Sequence, residues 1–175
     1  MPGLEDGACV SFAPTQGHTG QTVFIDAGHG GRDPGVVASS NSGRPVFEKD
    51  ATLAVAIRLA SLLRADGYTV VMARTNDTTV VKMSAADMTS GALTPYAVRR
   101  DLGARAACAN AAGAAVIVSI HFDGFTDPSV GGTESFYDAA RPFAAANRRL
   151  ATDLQSALVG RLRAPDRGVW TDDQL

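Results

Sequence analysis

Two histidines, a glutamate and an aspartate stand where their side chains could do chemistry. His29 lies in "DAGHGG", directly after the apolar run "TVFID" (22–26). His121 closes a second apolar run, "AAVIVSIHFD" (114–123), and Glu48 opens the amphipathic stretch "EKDATLAVAIRLASLLRADG". Two imidazoles and one carboxylate are a ligand set for a hydrolytic zinc ion, with a fourth position left open for water. The same set suits non-haem iron(II), but nothing in the sequence suggests a 2-oxo acid or an oxygen substrate. Asp26, at the end of the first run, could accept a hydrogen bond from the outer nitrogen of a ligating imidazole. Its alternative is a strand-end carboxylate that caps loop N–H groups. Plainer readings exist for the others too: solvated loop histidines, and a glutamate favoured at a helix start by the helix dipole. His18, in the opening segment, reads as solvated.

The elements that must position these residues follow from periodicity. "TVFID" is short and rich in β-branched residues, so it predicts a strand. In the stretch after Glu48, Leu53, Ile57 and Ala60, with Leu59 and Leu63, recur at three or four residues and predict a helix; Gly67 is a natural stop. "YTVVMAR" (68–74) predicts the next strand. "PYAVRRDLGARAACANAAG" reads as a helix with Pro95 in its first turn. "AAVIVSIHFD" reads as a strand buried on both faces. "GGTESFYD" is another short strand and "ARPFAAANRRLATDLQSALVGRLRA" a long amphipathic helix. "PDRGVWTDDQL" is a tail with no assigned element. The polar, irregular segment 75–94 is either a surface loop or a flap over a cleft.

Strands alternating with helices predict an α/β fold: a mostly parallel twisted sheet with helices on both faces, in a single domain. Ligands in open sheets of this kind sit beyond the carboxyl ends of the strands. His29 and His121 each follow a strand, and Glu48 starts a helix returning from the same edge, so topology brings all three to one rim. Gly28, Gly30 and Gly31 let the backbone turn sharply there. A dinucleotide reading of this loop fails, because the third glycine of the GxGxxG template would fall on Asp33 and no helix begins before Glu48.

Composition bounds the rest. The chain has 175 residues, 45% hydrophobic and 19% charged, with a net charge of −2, which argues against nucleic acid as a partner. No apolar run approaches the roughly 18–20 residues of a membrane span. The opening "MPGLEDGACVSFAPTQGHTG" has neither a basic n-region nor an apolar h-region, so it is not a signal peptide as it stands. It is compatible with the mature start of an exported protein. Residues 1–21, rich in glycine and without periodicity, read as an N-terminal arm. Cys9 and Cys108 form no CxxC motif. They can pair if the chain is exported; otherwise Cys108, on an alanine-rich helix, is a small buried hydrophobe.

"VFIDAGHGGRDPG", "FEKDATLAVAIRLASLLRADGYTVVMAR", "RRDLGARAACANAAGAAVIVSIHFDG" and "GGTESFYD" together resemble the zinc-dependent N-acetylmuramoyl-L-alanine amidases of the Amidase_3 family. The resemblance runs from residue 22 to about residue 170, with the motifs in the family's order. It implies one Zn2+ held by His29, Glu48 and His121. It implies hydrolysis of the amide between the lactyl group of muramic acid and the first L-alanine of the stem peptide. Peptidoglycan or a muropeptide would be the substrate and a regulatory protein a possible partner. The location would be exported, in the periplasm or cell wall, in the manner of an autolysin. The family's general base is a second glutamate on a late strand, in a P-x-x-L-x-E context, and no such segment is found between Trp170 and Leu175. Residues 22–175 are therefore expected to be an amidase-like catalytic domain that is incomplete at its C-terminal end. Glu134, in "GGTESFY", matches a family acidic position near the rim but not the catalytic one. It is a candidate substitute base, its alternative being a satisfied strand-edge carboxylate. The competing reading of the whole is a non-catalytic peptidoglycan-binding or regulatory homologue.

Overall fold

The computed structural model describes residues 3–127 and 129–172. The chain divides into two compact units, residues 1–124 and 125–175. The first contains, in order, β1 (Ala8–Phe12), β2 (Thr22–Ala27), the hairpin of β3 (Val37–Ser39) and β4 (Pro45–Phe47), and α1 (Glu48–Ala65). β5 (Thr69–Arg74) follows, then a 3-10 turn (Ala85–Asp87), the small hairpin of β6 (Met88–Thr89) and β7 (Ala92–Leu93), α2 (Pro95–Ala111) and β8 (Val116–Ile120).

Four of these strands make a sheet in the order β1-β5-β2-β8. β2 runs parallel to both neighbours, pairing Val23 with Val70 and with Val116. The expected mostly parallel α/β arrangement is thus present, and its helices lie on both faces. Val23, Ile25 and Ala27 of β2 pack with Val70 and Met72 against Ala56 and Ala60 of α1. The alternate residue Phe24 packs with Val71, Ala73 and Val80 against Cys108 and Ala109 of α2. A central strand covered on both sides cannot alternate apolar with polar, which is why "TVFID" and "TVVMA" read as continuous apolar runs. The helices meet the sheet through alanines, which let them approach closely.

The helix starts differ. At α2, Thr94 accepts a hydrogen bond from the Ala97 N–H (3.2 Å) and Pro95 occupies the first turn, a favourable pairing of cap and first residue. α1 has no side-chain cap, but Glu48 and Asp50 stand in its first turn, where negative charge is stabilised by the helix dipole.

The opening segment carries an edge strand. β1 pairs antiparallel with β5, Ala8 opposite Arg74 and Val10 opposite Met72. Further backbone bonds run from Glu5 N–H to Val80 O, Thr75 N–H to Gly7 O and Lys82 N–H to Gly3 O. Cys9 interrupts the strand at a φ of +53°, which removes the period-two pattern that would have marked it. Its side chain forms a disulfide with Cys108 of α2, across 99 positions of sequence. The cysteines therefore pair, and the bridge fixes β1 to the helix that covers that face of the sheet.

The second unit holds β9 (Thr133–Tyr137), α3 (Ala144–Leu162) and β10 (Asp166–Thr171). β9 and β10 are parallel, as a helical crossover between them requires. Gln155 on the inner side of α3 joins both strands, donating to Thr133 O and Asp166 Oδ1 at 2.6 Å each. The segment without an assigned element thus supplies β10. Its register shifts between Asp166 and Val169, and this irregularity hides it from pattern reading. Residues 173–175 lie outside the described residues. They include Leu175, the last position at which the sequence offers no general-base glutamate, so that expectation is carried by the sequence alone. Among the described residues no helix is long and apolar enough to cross a membrane.

Replacing Cys9 and Cys108 together by serine is expected to lower the unfolding free energy by about 2–5 kcal/mol, because a cross-link over so long a loop restricts the unfolded chain strongly. Urea denaturation measures it, and reductant added to the unaltered protein should produce the same loss. An unchanged midpoint would mean that the β1 ladder alone holds the segment.

Candidate metal centre

The parallel strands deliver their carboxyl ends to one rim, and His29, Glu48 and His121 meet there. His29 sits two residues beyond β2, Glu48 is the first residue of α1, and His121 follows β8. His29 Nε2 lies 3.2 Å from His121 Nδ1 and 3.2 Å from Glu48 Oε1. His121 Nδ1 lies 3.1 Å from Glu48 Oε1. The three atoms form a nearly equilateral triangle. A tetrahedral ion with bonds of about 2.0–2.1 Å separates its ligand atoms by about 3.3–3.4 Å, so the triangle has the dimensions of one face of such a coordination shell.

The protons tell the same story. His29 Nδ1 donates to Asp33 Oδ2 at 2.9 Å, so a neutral His29 turns the lone pair of Nε2 towards the carboxylate of Glu48. Two lone pairs then face each other, and only a proton or a metal cation placed between them relieves the repulsion. The hydrogen bond to Asp33 raises the pKa of His29 above its ordinary value; burial opposes this, and the charges of Asp33 and Glu48 add to the rise. Asp33 is correspondingly lowered, first by the bond from His29 and further by the Gly35 N–H, against burial. Burial alone would raise Glu48. The N–H groups of Val36 and Phe122, each 2.8 Å from its oxygens, and the histidine charges outweigh burial and hold its pKa below the usual carboxylate value. A buried carboxylate anchored at both oxygens and kept ionised is suited to binding a cation.

Two glycines make room. A Cβ on Gly28 would overlap the imidazole of His121. Gly35, at a φ of +64°, would place a Cβ 2.6 Å from both Glu48 Oε2 and His29 Cδ2. His29 itself has a φ of +62°, a left-handed backbone that costs a non-glycine residue about 1–3 kcal/mol. Reciprocal bonds between the Gly30 and Asp33 backbones and a bond from Arg105 Nη2 to His29 O (2.7 Å) hold it there.

Asp26 does not touch either imidazole. Its carboxylate is bound by Arg105 Nη1 and by Ser119 Oγ, the latter at 2.9 Å, and the acceptor expected of it is Asp33. The reason is direction: strand alternation turns Asp26 towards the α2 face, whereas Asp33 lies on the loop that carries His29. The spacing of "HGGRD", four residues inside a tight turn, was the available signal. Two further residues were missed. Arg105 links Asp26 to Asp101 (Nε to Oδ2, 2.9 Å) and donates to Ala27 O and His29 O. Burial would lower its pKa, but the two aspartates outweigh that and raise it. Arg74, fully buried at the end of β5, donates to backbone oxygens on both sides of the site. Their signal was a charged residue at the end of an apolar strand, or on the inner face of an alanine-rich helix.

Part of the segment 75–94 is packed rather than free. Asp77 accepts from Gly31 N–H (2.8 Å) and from Lys49 Nζ (2.7 Å), while Asp101 Oδ1 accepts from the N–H groups of Val80 and Val81. Glu134 lies on β9 in the second unit, with Arg167 Nε 3.3 Å from its Oε2.

Parallel strands that bring two histidines and a glutamate to one rim define an α/β protein with a candidate divalent-metal centre. Residues 23–174 match the family described as N-acetylmuramoyl-L-alanine amidase (Amidase_3), and the chain belongs to that family. It is 33% identical over 152 residues to the N-acetylmuramoyl-L-alanine amidase LytC of Bacillus subtilis (strain 168), covering 87% of this chain and 25% of the relative. An N-acetylmuramoyl-L-alanine amidase structure from Clostridium difficile 630 superposes with a TM-score of 0.67 at 32% identity, over 87% of this chain and 70% of that one. The CwlD amidase of Clostridioides difficile, solved in complex with the GerS lipoprotein, superposes with a TM-score of 0.75 at 26% identity, over 89% and 74%. The chain spans 62%, 25% and 53% of the length of three curated relatives it matches.

Gly28→Ala is expected to weaken divalent-ion uptake about 10-fold or more by displacing His121, with an unchanged circular dichroism spectrum; elemental analysis after dialysis reads it. Asp26→Ala should instead act on stability. It leaves Arg105 with one carboxylate in place of two, and a loss of about 3 kcal/mol in chemical denaturation is expected, the lower end for a broken buried pair.

Proposed function

We propose that this protein hydrolyses peptidoglycan at the amide between N-acetylmuramic acid and the L-alanine of the stem peptide, using one zinc ion held by His29, Glu48 and His121. The carrying observation is the triangle of 3.1–3.2 Å between two imidazole nitrogens and one carboxylate oxygen. Membership of the amidase family supports the substrate. Zinc supplies Lewis acidity, lowering the pKa of water towards about 7 and polarising an amide carbonyl. The chain's own residues perform the holding. Asp33 fixes the tautomer of His29, and the Val36 and Phe122 N–H groups orient Glu48. Because Asp33 and Glu48 are committed to these bonds, the group that moves the proton from water to the leaving amine is a separate one.

The disulfide supports an exported location, since such bridges persist in oxidising compartments, and a cell-wall substrate lies there. Residues 22–175 would then be the catalytic portion of the protein. The CwlD complex with a lipoprotein supports a regulatory protein as partner.

The test is release of stem peptide from purified muropeptide by the zinc-loaded protein. Release is expected, with loss on chelation and recovery on adding zinc. Retention of zinc and binding of muropeptide without release would replace this reading with that of a binding homologue.

A further inference from the structure

Arg74 is buried without exposure, and all of its hydrogen-bond partners are neutral oxygens. Placing a guanidinium in a low-dielectric interior is costly, and carbonyl dipoles offset the cost less well than a carboxylate does. The positions of those oxygens explain why it is there. Nε donates to Ala27 O (3.0 Å) and Nη1 to Asn76 O (3.0 Å). The single nitrogen Nη2 donates to Gly28 O (2.9 Å) and Lys49 O (2.8 Å), and lies 3.1 Å from Thr52 Oγ1. Gly28 immediately precedes His29, and Lys49 immediately follows Glu48. One atom therefore brackets the two chain segments that carry two of the three proposed ligands. Thr52 reinforces the bracket, its hydroxyl lying 2.8 Å from Gly28 O and 3.1 Å from Lys49 O.

We propose that Arg74 is the positioning residue that sets the separation of the His29 loop from the first turn of α1, and through it the fit of the metal triangle. The inference rests on the metal reading above. A sound metal site places its ligand atoms within about 0.2 Å of the usual bond lengths, a tolerance that a turn and a helix terminus meet more readily when a third group ties them together. Planarity makes arginine apt: the fork donates in fixed directions to several acceptors at once. Removing it does not leave the carbonyls bare, since Ala27 O keeps Arg105 and Gly28 O keeps Thr52. The fold can therefore persist while the bracket opens.

Zinc affinity of the purified protein, measured by competition with a chromophoric chelator at a temperature where each variant is folded, tests this. Arg74→Met is expected to lose about 10–100-fold in affinity, the usual effect of removing a group that orients metal ligands. Arg74→Lys should recover part of the loss, because an ammonium reaches some of the same oxygens. Thr52→Val, a milder change at the same bracket, should lower affinity by a smaller factor, so the inference stays open to refutation if Arg74→Met does not fold. The visible bands of bound cobalt(II) should change in Arg74→Met and not in Val70→Ala, a core variant distant from the bracket. Unchanged affinity in folded Arg74→Met or Thr52→Val, or an equal loss in Val70→Ala, overturns the proposal while the metal reading stands. Failure of the unaltered protein to take up zinc overturns both.

Discussion

Crowding of two imidazoles and one carboxylate at the sheet rim is the constraint around which the rim of the first unit is arranged. Two imidazole nitrogens and a carboxylate oxygen are held at 3.1–3.2 Å, and no proton arrangement with both histidines neutral satisfies all three pairs. Something outside the triangle must hold each corner in place. Asp33 holds the far nitrogen of His29, two backbone N–H groups hold Glu48, and the absence of a side chain on Gly28 leaves the space that the His121 ring fills. His29 accepts left-handed backbone strain because its carbonyl is bonded to Arg105. Together these contacts hold the three corners at separations that suit a shared proton or a divalent cation.

Carbonyl groups are the second part of this logic. At the carboxyl end of parallel strands the backbone runs out of ladder partners, and carbonyl oxygens point into the rim. Here two buried guanidiniums collect them. Arg105 binds the oxygens of residues 27 and 29, and Arg74 those of residues 27, 28, 49 and 76. The difference between the two is informative. Arg105 lies between Asp26 and Asp101 and is ion-paired to both. Arg74 feels nearby aspartates only through space and hydrogen-bonds none of them, so its place is better explained by the segments it joins than by direct pairing.

How far this could be read from the sequence depended on whether a residue's position followed from topology or from direction. His29, Glu48 and His121 were legible because each stands at an element boundary, and the α/β pattern sends those boundaries to one edge. The core of β2 and β5 was legible as continuous apolar runs, because both faces of these strands are covered. Asp26 against Asp33 was not, since which of two nearby carboxylates faces an imidazole depends on strand alternation and on a turn whose geometry only coordinates reveal. Arg74 stands at the polar end of a strand, where the pattern alone gives it no partner. β1 was lost because Cys9 breaks its alternation, and β10 because its register shifts before Val169. In each case the missing information was a local departure from regular geometry.

The same departures tie stability to the site. Residues 3–12 bond to the stretch 75–82 through three backbone hydrogen bonds and are fixed to α2 by the Cys9–Cys108 bridge. That stretch is also gripped from the other side, its Val80 and Val81 N–H groups by Asp101, one helical turn before Arg105 and two before Cys108 on α2. From it, Asp77 reaches Gly31 and Lys49, near His29 and Glu48. A continuous set of bonds therefore runs from the disulfide, through α2 and the 75–82 stretch, to both sides of the candidate metal centre. Loosening β1 removes one wall of that stretch without touching His29, Glu48 or His121. The opening segment, although it contains no residue of the site, belongs physically to the apparatus that holds the His29–Glu48–His121 cluster in place.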